Sequence, residues 1–278
     1  MDAATLLRAY DSQLREDAEV ERALSVLRHP PLLWAVFGEG GMVTYKSLAG
    51  AEGEDVDALI DASLTYFSDE TDVLRAEWKT RGHDQPEDLG KRLAARGFVA
   101  EDLETVMVGR AADLAVEVEV PEGVTIRSVE VGPHLRDEVA RAHAMQTHVF
   151  GGTGGQDPAR VADNLAADPE HLQLWVAESD GQVIGAGTLD VVRGTEFAGL
   201  WGGAVLAQWR GRGIYRALVA ARARAAVELG VRYMHSDCSA MSRPILERSG
   251  LVAVTTTTPY VWTRPGPGAQ EPAGLRSA

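Results

Sequence analysis

The sequence predicts an α+β protein in which a mixed, mostly antiparallel sheet is flanked by helices and preceded by a smaller α/β domain. Apolar residues recur at helical spacing in some stretches and alternate or run together in others, so both element types are expected. Three strand-like runs follow one another between residues 172 and 206, as in antiparallel sheets. A block near residue 93 also recurs near residue 246, which indicates that the smaller domain is a degenerate repeat.

Length, charge and cysteine content restrict the class of protein. At 278 residues the chain can hold two domains, and it lacks an apolar run of about eighteen residues, so we expect no membrane span. Met1-Asp2-Ala3-Ala4 resembles no secretory signal, and the expected location is the cytoplasm. The formal charge of −14 argues against nucleic acid or anionic lipid as partner and would suit a cationic substrate. The single cysteine, Cys238, excludes a disulfide framework and a cysteine-rich metal site, and we expect it to be buried.

Residues 1–120 are predicted to form the N-terminal α/β domain. Apolar positions three and four apart predict an amphipathic helix over residues 2–27, which His29-Pro30-Pro31 would end. The later elements predicted here are strands over 32–37 and 42–48, a helix over 56–66, a strand over 73–78, a helix over 87–96 and a strand over 103–108.

Pro121-Glu122-Gly123 marks the predicted boundary of a second domain, over residues 121–263. A tail over residues 264–278, rich in Pro, Gly and Ala, is expected to be disordered. The elements predicted for the second domain are a strand over 124–129, helices over 134–146 and 158–167, strands over 172–178, 182–192 and 196–206, a helix over 214–229, a strand over 233–236, a short helix over 242–249 and a strand over 255–262.

The repeated block aligns residues 93–100 with residues 246–253 without gaps. Both copies consist of a predicted helix end, a glycine at the same place and the start of a strand. Duplication would explain this match. Chance is the alternative, because helices that end at a glycine are common.

The clearest functional motif is the loop Arg210-Gly211-Arg212-Gly213-Ile214-Tyr215, between a predicted strand and a predicted helix. Backbone N–H groups of such a turn and of the first helical turn converge on one point, where the helix dipole favours negative charge. Arg210, Arg212 and Arg216 crowd this positive helix end, so we expect an anion between them. Arginines paired with nearby carboxylates are the alternative.

The spacing of the loop excludes two other phosphate-binding motifs. A nucleoside triphosphatase loop needs Gly-Lys followed by Ser or Thr, which is absent here. A dinucleotide fold places its glycine turn in an early strand-helix unit of a parallel sheet, whereas this turn follows apparently antiparallel strands.

The loop and the order of elements resemble the GNAT superfamily of N-acetyltransferases over roughly residues 124–262. Arg210 and Gly213 match the family signature of Arg or Gln, two residues, Gly, one residue, then Gly or Ala, whereas Tyr215 replaces the last small residue. The resemblance implies acetyl-CoA as co-substrate, its pantetheine arm beside the fourth strand of the domain, which splays from the fifth, and its pyrophosphate on the loop. The implied cofactor-binding residues are Gly203, Ala204, Val205, Arg210, Gly211, Arg212, Gly213, Ile214, Tyr215, Arg216 and Ser242, the last of which is equally well explained as a helix cap.

The resemblance implies direct attack of a primary amine, of a small molecule or peptide, on the acetyl thioester in a ternary complex. The alkylammonium must first lose a proton. The candidate proton acceptors are the carboxylates Glu196 and Glu178, with His235 and Asp237 as the other candidates. The acceptor pocket is expected around His143, Gln146, His148, Phe150, the glycine-rich run as far as Gln156, and Trp201.

The acid that usually protonates the departing thiolate is missing. In the family it is a tyrosine four residues before the glycine that follows the last helix, and Leu246 occupies that position here. Tyr260, Tyr215 or solvent could take the role. Leu246 and Tyr215 also favour a second hypothesis, a catalytically inactive coenzyme A-binding or ligand-sensing protein of the same fold. A hydrolase built on Cys238 and His235 lacks a nucleophile turn.

Overall fold

The computed structural model describes residues 1–38, 40–152 and 157–265 and separates into two compact units. The first unit comprises Met1–Leu14 and Glu104–Thr256; the second comprises Arg15–Leu103 and the described part of Thr257–Ala278. Within these ranges no helix is long and apolar enough to cross a membrane.

The α-helices of the described ranges are α1 (Ala3–Gln13), α2 (Glu54–Asp69), α3 (Leu89–Ala95), α4 (Ala111–Leu114), α5 (Leu135–Phe150), α6 (Pro158–Ala167), α7 (Ile214–Glu228) and α8 (Arg243–Ser249). The strands are β1 (Ser25–His29), β2 (Leu32–Val36), β3 (Gly40–Thr44), β4 (Arg75–Arg81), β5 (Val99–Ala100), β6 (Glu104–Arg110), β7 (Val124–Ser128), β8 (Leu172–Ser179), β9 (Gln182–Val191), β10 (Phe197–Val205), β11 (Tyr233–Cys238) and β12 (Val252–Thr263). The predicted mixed α+β fold, with a largely antiparallel sheet flanked by helices, is confirmed.

The sheet of the first unit has the strand order β7-β8-β9-β10-β11-β6, and all neighbours are antiparallel except the pair β10 and β11. Two apolar clusters hold it together. One contains residues of α5, α6 and the first turns of α7, packed on β8 and β9. The other joins the middle of α7 to β11 and α8. Helix α7 contributes to both clusters, and its position is therefore fixed along most of its length.

The second unit has its own core and its own strands, in the order β1-β2-β3-β4 followed by residues 257–263 of β12. Trp78, Phe67 and Leu93 are fully buried between this sheet and helices α2 and α3. Tyr260 of β12 lies opposite Trp78 of β4.

The boundary predicted at residues 120 and 121 differs from this division because each unit takes a strand from the other half of the sequence. Strand β6 pairs along its length with β11, from Tyr233 opposite Arg110 to Cys238 opposite Thr105. Residues 257–263 of β12 pair with β4. Strand partners so distant in sequence leave no local signal, and the proline-glycine punctuation at residue 121 marks only a loop.

The repeated block has the same local geometry in both copies. Leu93 and Leu246 are both buried, and their carbonyls each accept a backbone N–H bond of 3.1 Å, from Phe98 and Leu251 respectively. The intervening Gly97 and Gly250 both have positive φ, 88° and 107°. The two halves therefore share a helix end of the Schellman type, as a degenerate repeat predicts.

Three local predictions were wrong. The helix predicted over residues 2–27 ends at Gln13, because Val20 packs instead against β2 and residues 25–29 pair with that strand. Arg264, placed in a disordered tail, donates hydrogen bonds to the carbonyls of residues 67, 68, 71 and 73, while residues 266–278 lie outside the described ranges. Leu229, the last residue of the helix predicted over 214–229, lies just beyond α7 and is 37 % exposed.

A buried ion-pair cluster surrounds Glu19 in the second unit. The carboxylate of Glu19 pairs with Arg81, whose side chain is fully buried, and lies 3.7 Å from Lys79 Nζ. Thr44 donates a hydrogen bond to it. Burial favours the neutral carboxyl, but Arg81, Lys79 and the Thr44 hydrogen bond outweigh burial and hold the pKa of Glu19 below its ordinary value.

The substitution Glu19→Gln is expected to lower the free energy of unfolding at pH 7 by about 3 kcal/mol, because it removes the Glu19 carboxylate from beside a buried guanidinium. A lowered folded-state pKa stabilises the protein above the unfolded-state pKa, and the contribution is lost as pH falls through the folded-state value. Denaturant unfolding should therefore show the difference between wild type and variant shrinking in acid. Asp17→Asn, which removes the exposed pair with Arg28, is the matched control and should have little effect. Equal stability of Glu19→Gln and wild type at pH 7 would contradict this assignment.

Candidate functional site

The site lies where strands β10 and β11 separate. The two strands pair in parallel only from Phe197 opposite Tyr233 to Gly199 opposite His235. Beyond Gly199, β10 continues along β9 alone. The edge of β10 that faces away from β9 is thereby released from the parallel ladder. The splaying of fourth and fifth strands implied by the family resemblance is present.

A bulge bends β10 within this divergent part. Trp201 lies opposite Thr188 and Ala204 opposite Ala186, so Gly202 and Gly203 together face a single residue of β9, Gly187. Gly202 has a φ of 59° and its carbonyl accepts a 2.7 Å hydrogen bond from Gln146 Nε2 of α5. A bulge redirects backbone groups away from the ladder, and here the redirected groups are those of Gly202 and Gly203, beside the gap between β10 and β11.

The loop after β10 leads into α7 as predicted. Gly211 and Gly213 have φ values of 75° and 79°, which favour glycine, and Gly213 is the N-cap residue of α7. A Cβ atom on Gly213 would lie 3.2 Å from the carbonyl oxygen of Glu119. Gly213 has no side chain to cap the helix, so the first-turn N–H groups of α7 are available to an anion.

The three arginines of the motif are exposed. Arg210 Nε donates to the carbonyl of Val205 at 3.2 Å, and the guanidinium of Arg212 lies 5.0 Å from the ring centre of Trp209. Among the described residues no carboxylate pairs with Arg210, Arg212 or Arg216. Local carboxylate pairing, the alternative explanation of this cluster, is therefore not observed in the described part of the chain.

A cavity of about 430 Å³ joins the loop to the free edge of β10. All of the predicted cofactor-binding residues line it except Arg212. Sequence reasoning missed other lining residues that come from α8 and the segment before it: Met241, Ile245 and Arg248. The sequence signal for these residues was weak, because the residue pattern of a short exposed helix does not show whether a face lines a cavity or contacts solvent.

Ser242 also lines the cavity and does not cap α8 through its side chain. Its hydroxyl instead lies 3.0 Å from that of Ser239. The Ser239–Ser242 pair gives the cavity wall a polar patch. Phe150, at the end of α5, lines the same cavity and is 61 % exposed, whereas residues 153–156 of the predicted acceptor loop lie outside the described ranges.

Tyr215 reaches from α7 to the bulge of β10. Its ring carbon Cε2 and hydroxyl oxygen would lie 2.9 Å and 3.0 Å from a Cβ atom placed on Gly203, so a larger residue there would displace the ring. Burial raises the pKa of the Tyr215 hydroxyl, which therefore stays protonated near neutral pH. Leu246, at the usual position of the acidic tyrosine, is 1 % exposed within an apolar cluster.

His235 is buried at the last paired position before the strands separate. Its ring makes edge contacts with Tyr10 of α1, Phe197 and Trp201. Its neighbour Met234 packs on the α7 side of the sheet, in the cluster against which Tyr215 also packs. Because successive residues of a strand face opposite sides, His235 and Tyr215 lie on opposite faces of the sheet at the gap.

Glu196 and Tyr260, the other predicted catalytic residues, occupy different surroundings. Glu196 lies just before β10, at the end remote from the bulge, where it accepts a 3.1 Å hydrogen bond from Gln13 and pairs with Arg232 at 3.1 Å. The Gln13 hydrogen bond and Arg232 lower the pKa of Glu196, the reverse of the shift that helps a base near neutral pH. Tyr260 belongs to the second unit, where its hydroxyl would lie 2.1 Å from a Cβ atom on Gly90.

Cys238 is buried, and burial together with nearby Glu104 raises the pKa of its thiol to about 11. A thiol with this pKa is protonated near neutral pH, so the hydrolase alternative lacks a reactive nucleophile.

Comparison with known proteins gives a family match for one segment and solved structures of similar fold for most of the chain. Residues 140–245 match the model of the acetyltransferase (GNAT) family. The comparison with curated proteins gave no match.

Among solved structures, a GCN5-related N-acetyltransferase from Kribbella flavida superposes with a TM-score of 0.64 at 16 % identity, covering 95 % of this chain and 95 % of that one. One from Sphaerobacter thermophilus gives 0.63 at 19 % identity, with 85 % and 78 % covered. A tandem GNAT protein from the clavulanic acid biosynthesis pathway gives 0.56 at 14 % identity, with 86 % and 79 % covered.

At these low identities the superpositions show a shared fold, and the likeness extends over most of the chain. One of the similar structures is described as a tandem GNAT protein. The family model covers the elements that build the cavity, from α5 through the loop and α7 to the start of α8. Residues 140–245, which carry the divergent strands and the loop from Arg210 to Tyr215, therefore match the acetyltransferase (GNAT) family.

Proposed function

We propose that this protein is an N-acetyltransferase that moves an acetyl group from acetyl-CoA to a primary amine of a small molecule or peptide. The observation that carries the proposal is the cavity that joins the helix N-terminus of α7 to the free edge of β10. A ligand with a diphosphate at one end and an amide-containing arm at the other matches both parts.

The residues present fit acetyl-CoA. The pyrophosphate would be held by backbone N–H groups from Gly211 to Arg216, with Arg216 and Arg248 supplying positive charge at the cavity wall. The released edge of β10 near Ala204 and Val205 offers backbone groups to the amides of the pantetheine arm, as in strand addition. When bound, acetyl-CoA supplies an activated thioester carbonyl.

The residues on the other face of the sheet suit an amine. A cationic acceptor is favoured by the net charge of −14. His235 is the proposed proton acceptor, because it lies at the point of divergence, whereas the hydrogen bond from Gln13 and the pair with Arg232 lower the pKa of Glu196. Backbone N–H groups of the bulge would donate hydrogen bonds to the oxyanion.

The proposed location is the cytoplasm, which is consistent with a single, free and buried cysteine.

The test of the function is titration calorimetry of the whole protein with acetyl-CoA, followed by a thiol-release screen against a panel of amines. Micromolar binding with release for one class of amine would support the transferase and identify that class. Binding without release for any amine would favour an inactive coenzyme A-binding or ligand-sensing protein. Absence of binding would overturn the assignment of the cavity.

The substitution Gly211→Ala is expected to weaken acetyl-CoA binding about tenfold, because a residue with a Cβ atom resists the left-handed conformation that presents the loop N–H groups. Gly181→Ala is the matched control. Gly181 has the same φ of 75° and, like Gly211, open space around its Cβ position, but it does not line the cavity. Thermal unfolding should change similarly in the two variants, while calorimetry should show weaker binding only for Gly211→Ala. Equal affinities would contradict the role of the loop.

The substitution His235→Gln is expected to lower kcat for the best amine of the panel about 100-fold, a typical general-base contribution, without weakening acetyl-CoA binding. Glu196→Gln removes a carboxylate of the same unit and should leave kcat within about twofold of wild type. Steady-state thiol release with both variants decides between the two candidates. A large loss for Glu196→Gln and none for His235→Gln would reverse the assignment.

A further inference from the structure

We propose that Tyr215 is a catalytic residue that donates a hydrogen bond to the departing coenzyme A thiolate, and that Arg222 is a positioning residue whose buried charge stabilises that arrangement. The inference rests on the proposed function. It assigns to the α7 side of the sheet the role that Leu246 cannot perform, because Leu246 is apolar and buried.

The two side chains lie against the bulge and against its partner strand, respectively. The hydroxyl of Tyr215 lies against Gly203, and the guanidinium of Arg222 lies against Gly187, the residue of β9 that faces Gly202 and Gly203. A Cβ atom on Gly187 would lie between 2.7 Å and 3.0 Å from three atoms of the guanidinium. The glycines of the bulge and of its partner strand therefore provide the space in which both side chains lie.

Arg222 is a buried cation held by neutral groups. It is 1 % exposed, its Nε donates to the carbonyl of Leu218 at 3.1 Å, and its Nη1 donates to the carbonyl of Thr188 at 3.0 Å. Among the described residues no carboxylate pairs with it. Burying a guanidinium without a counter-charge is costly, so an unpaired one beside a reaction site points to negative charge that develops there.

The charge of Arg222 and the protonation of Tyr215 affect each other. Burial lowers the pKa of Arg222 to about 10, and only the ionised form of Tyr215 would oppose this shift. Arg222 remains protonated near neutral pH, and burial keeps the hydroxyl of Tyr215 in its donor form. A neutral donor with a cation behind it stabilises an anion without itself being consumed.

The step balances without a further reactant. The amine nitrogen forms its bond to the acetyl carbon, the bond from carbon to sulfur breaks, and its electron pair remains on sulfur. Tyr215 Oη–H donates a hydrogen bond to that thiolate. The proton released by the amine passes to its acceptor and then to solvent, and the thiolate later takes a proton from solvent to leave as coenzyme A.

The test needs no knowledge of the amine. Affinities of coenzyme A and desulfo-coenzyme A are measured by calorimetry between pH 6.5 and pH 9.5, and their ratio is followed. A free thiol has a pKa of about 8.5, and if the site lowers it by about one unit, the preference for coenzyme A should rise about sixfold between pH 7 and pH 9. Desulfo-coenzyme A lacks the thiol and corrects for every other ionisation.

Tyr215→Phe removes one oxygen atom and is expected to abolish the rise in this ratio, and its affinity for desulfo-coenzyme A, measured in parallel, corrects for any general change in cofactor binding. Arg222→Met should flatten the ratio in the same way. Tyr66→Phe, which removes a phenol hydroxyl from the second unit, is the matched control and should behave as wild type. If Arg222→Met fails to fold in thermal unfolding, Tyr215→Phe alone decides.

The possible outcomes separate the two proposals. If neither ligand binds the wild type, the proposed function and this inference both fall. If both ligands bind but the wild-type ratio stays constant with pH, or Tyr215→Phe keeps the rise, the inference is overturned while the proposed function stands. A rise in wild type that is lost in Tyr215→Phe and retained in Tyr66→Phe supports it.

Discussion

The candidate site depends on the short parallel contact between β10 and β11. Antiparallel pairing holds β11 along its length against β6 and holds β10 against β9, so neither strand can adjust its course to follow the other beyond Gly199. The resulting gap is a property of the whole sheet. The loop, the bulge and the cavity are all arranged around it, and His235 and Tyr215 face it from opposite sides. A site built on sheet geometry in this way is held more rigidly than one built on loops alone.

The first half of the sequence takes part in this geometry. Strand β6 supplies the outer partner of β11, and helix α1 places Tyr10 against His235 and Gln13 against Glu196. The unit that carries the site is therefore assembled from both halves of the chain.

Much of the second half could be predicted from the sequence, because its periodicity is strong and its breaks are sharp. The helix over residues 158–167 and the loop into α7 lie where the pattern places them. The end of α1 could not be predicted, because pairing of β1 with β2 overrides the helical spacing of residues 14–27. Long-range pairing also decided the division into units. Arg222 was missed because charge patterns predict exposure, although its apolar helical neighbours Leu218, Val219 and Ala226 were a usable signal.

The pairing of β6 with β11 and of β4 with β12 joins strands that are far apart in the sequence, which has a consequence for synthesis of the protein. The N-terminal half leaves the ribosome with β4 lacking the neighbour that residues 257–263 will supply, and with β6 lacking β11. Open strand edges of this kind attract other chains. The first sheet is complete only after β11 has been synthesised and the second only after β12, and contacts between such distant segments form slowly. The open edges therefore persist while the intervening residues are synthesised, and during this time the nascent chain is vulnerable to misassembly.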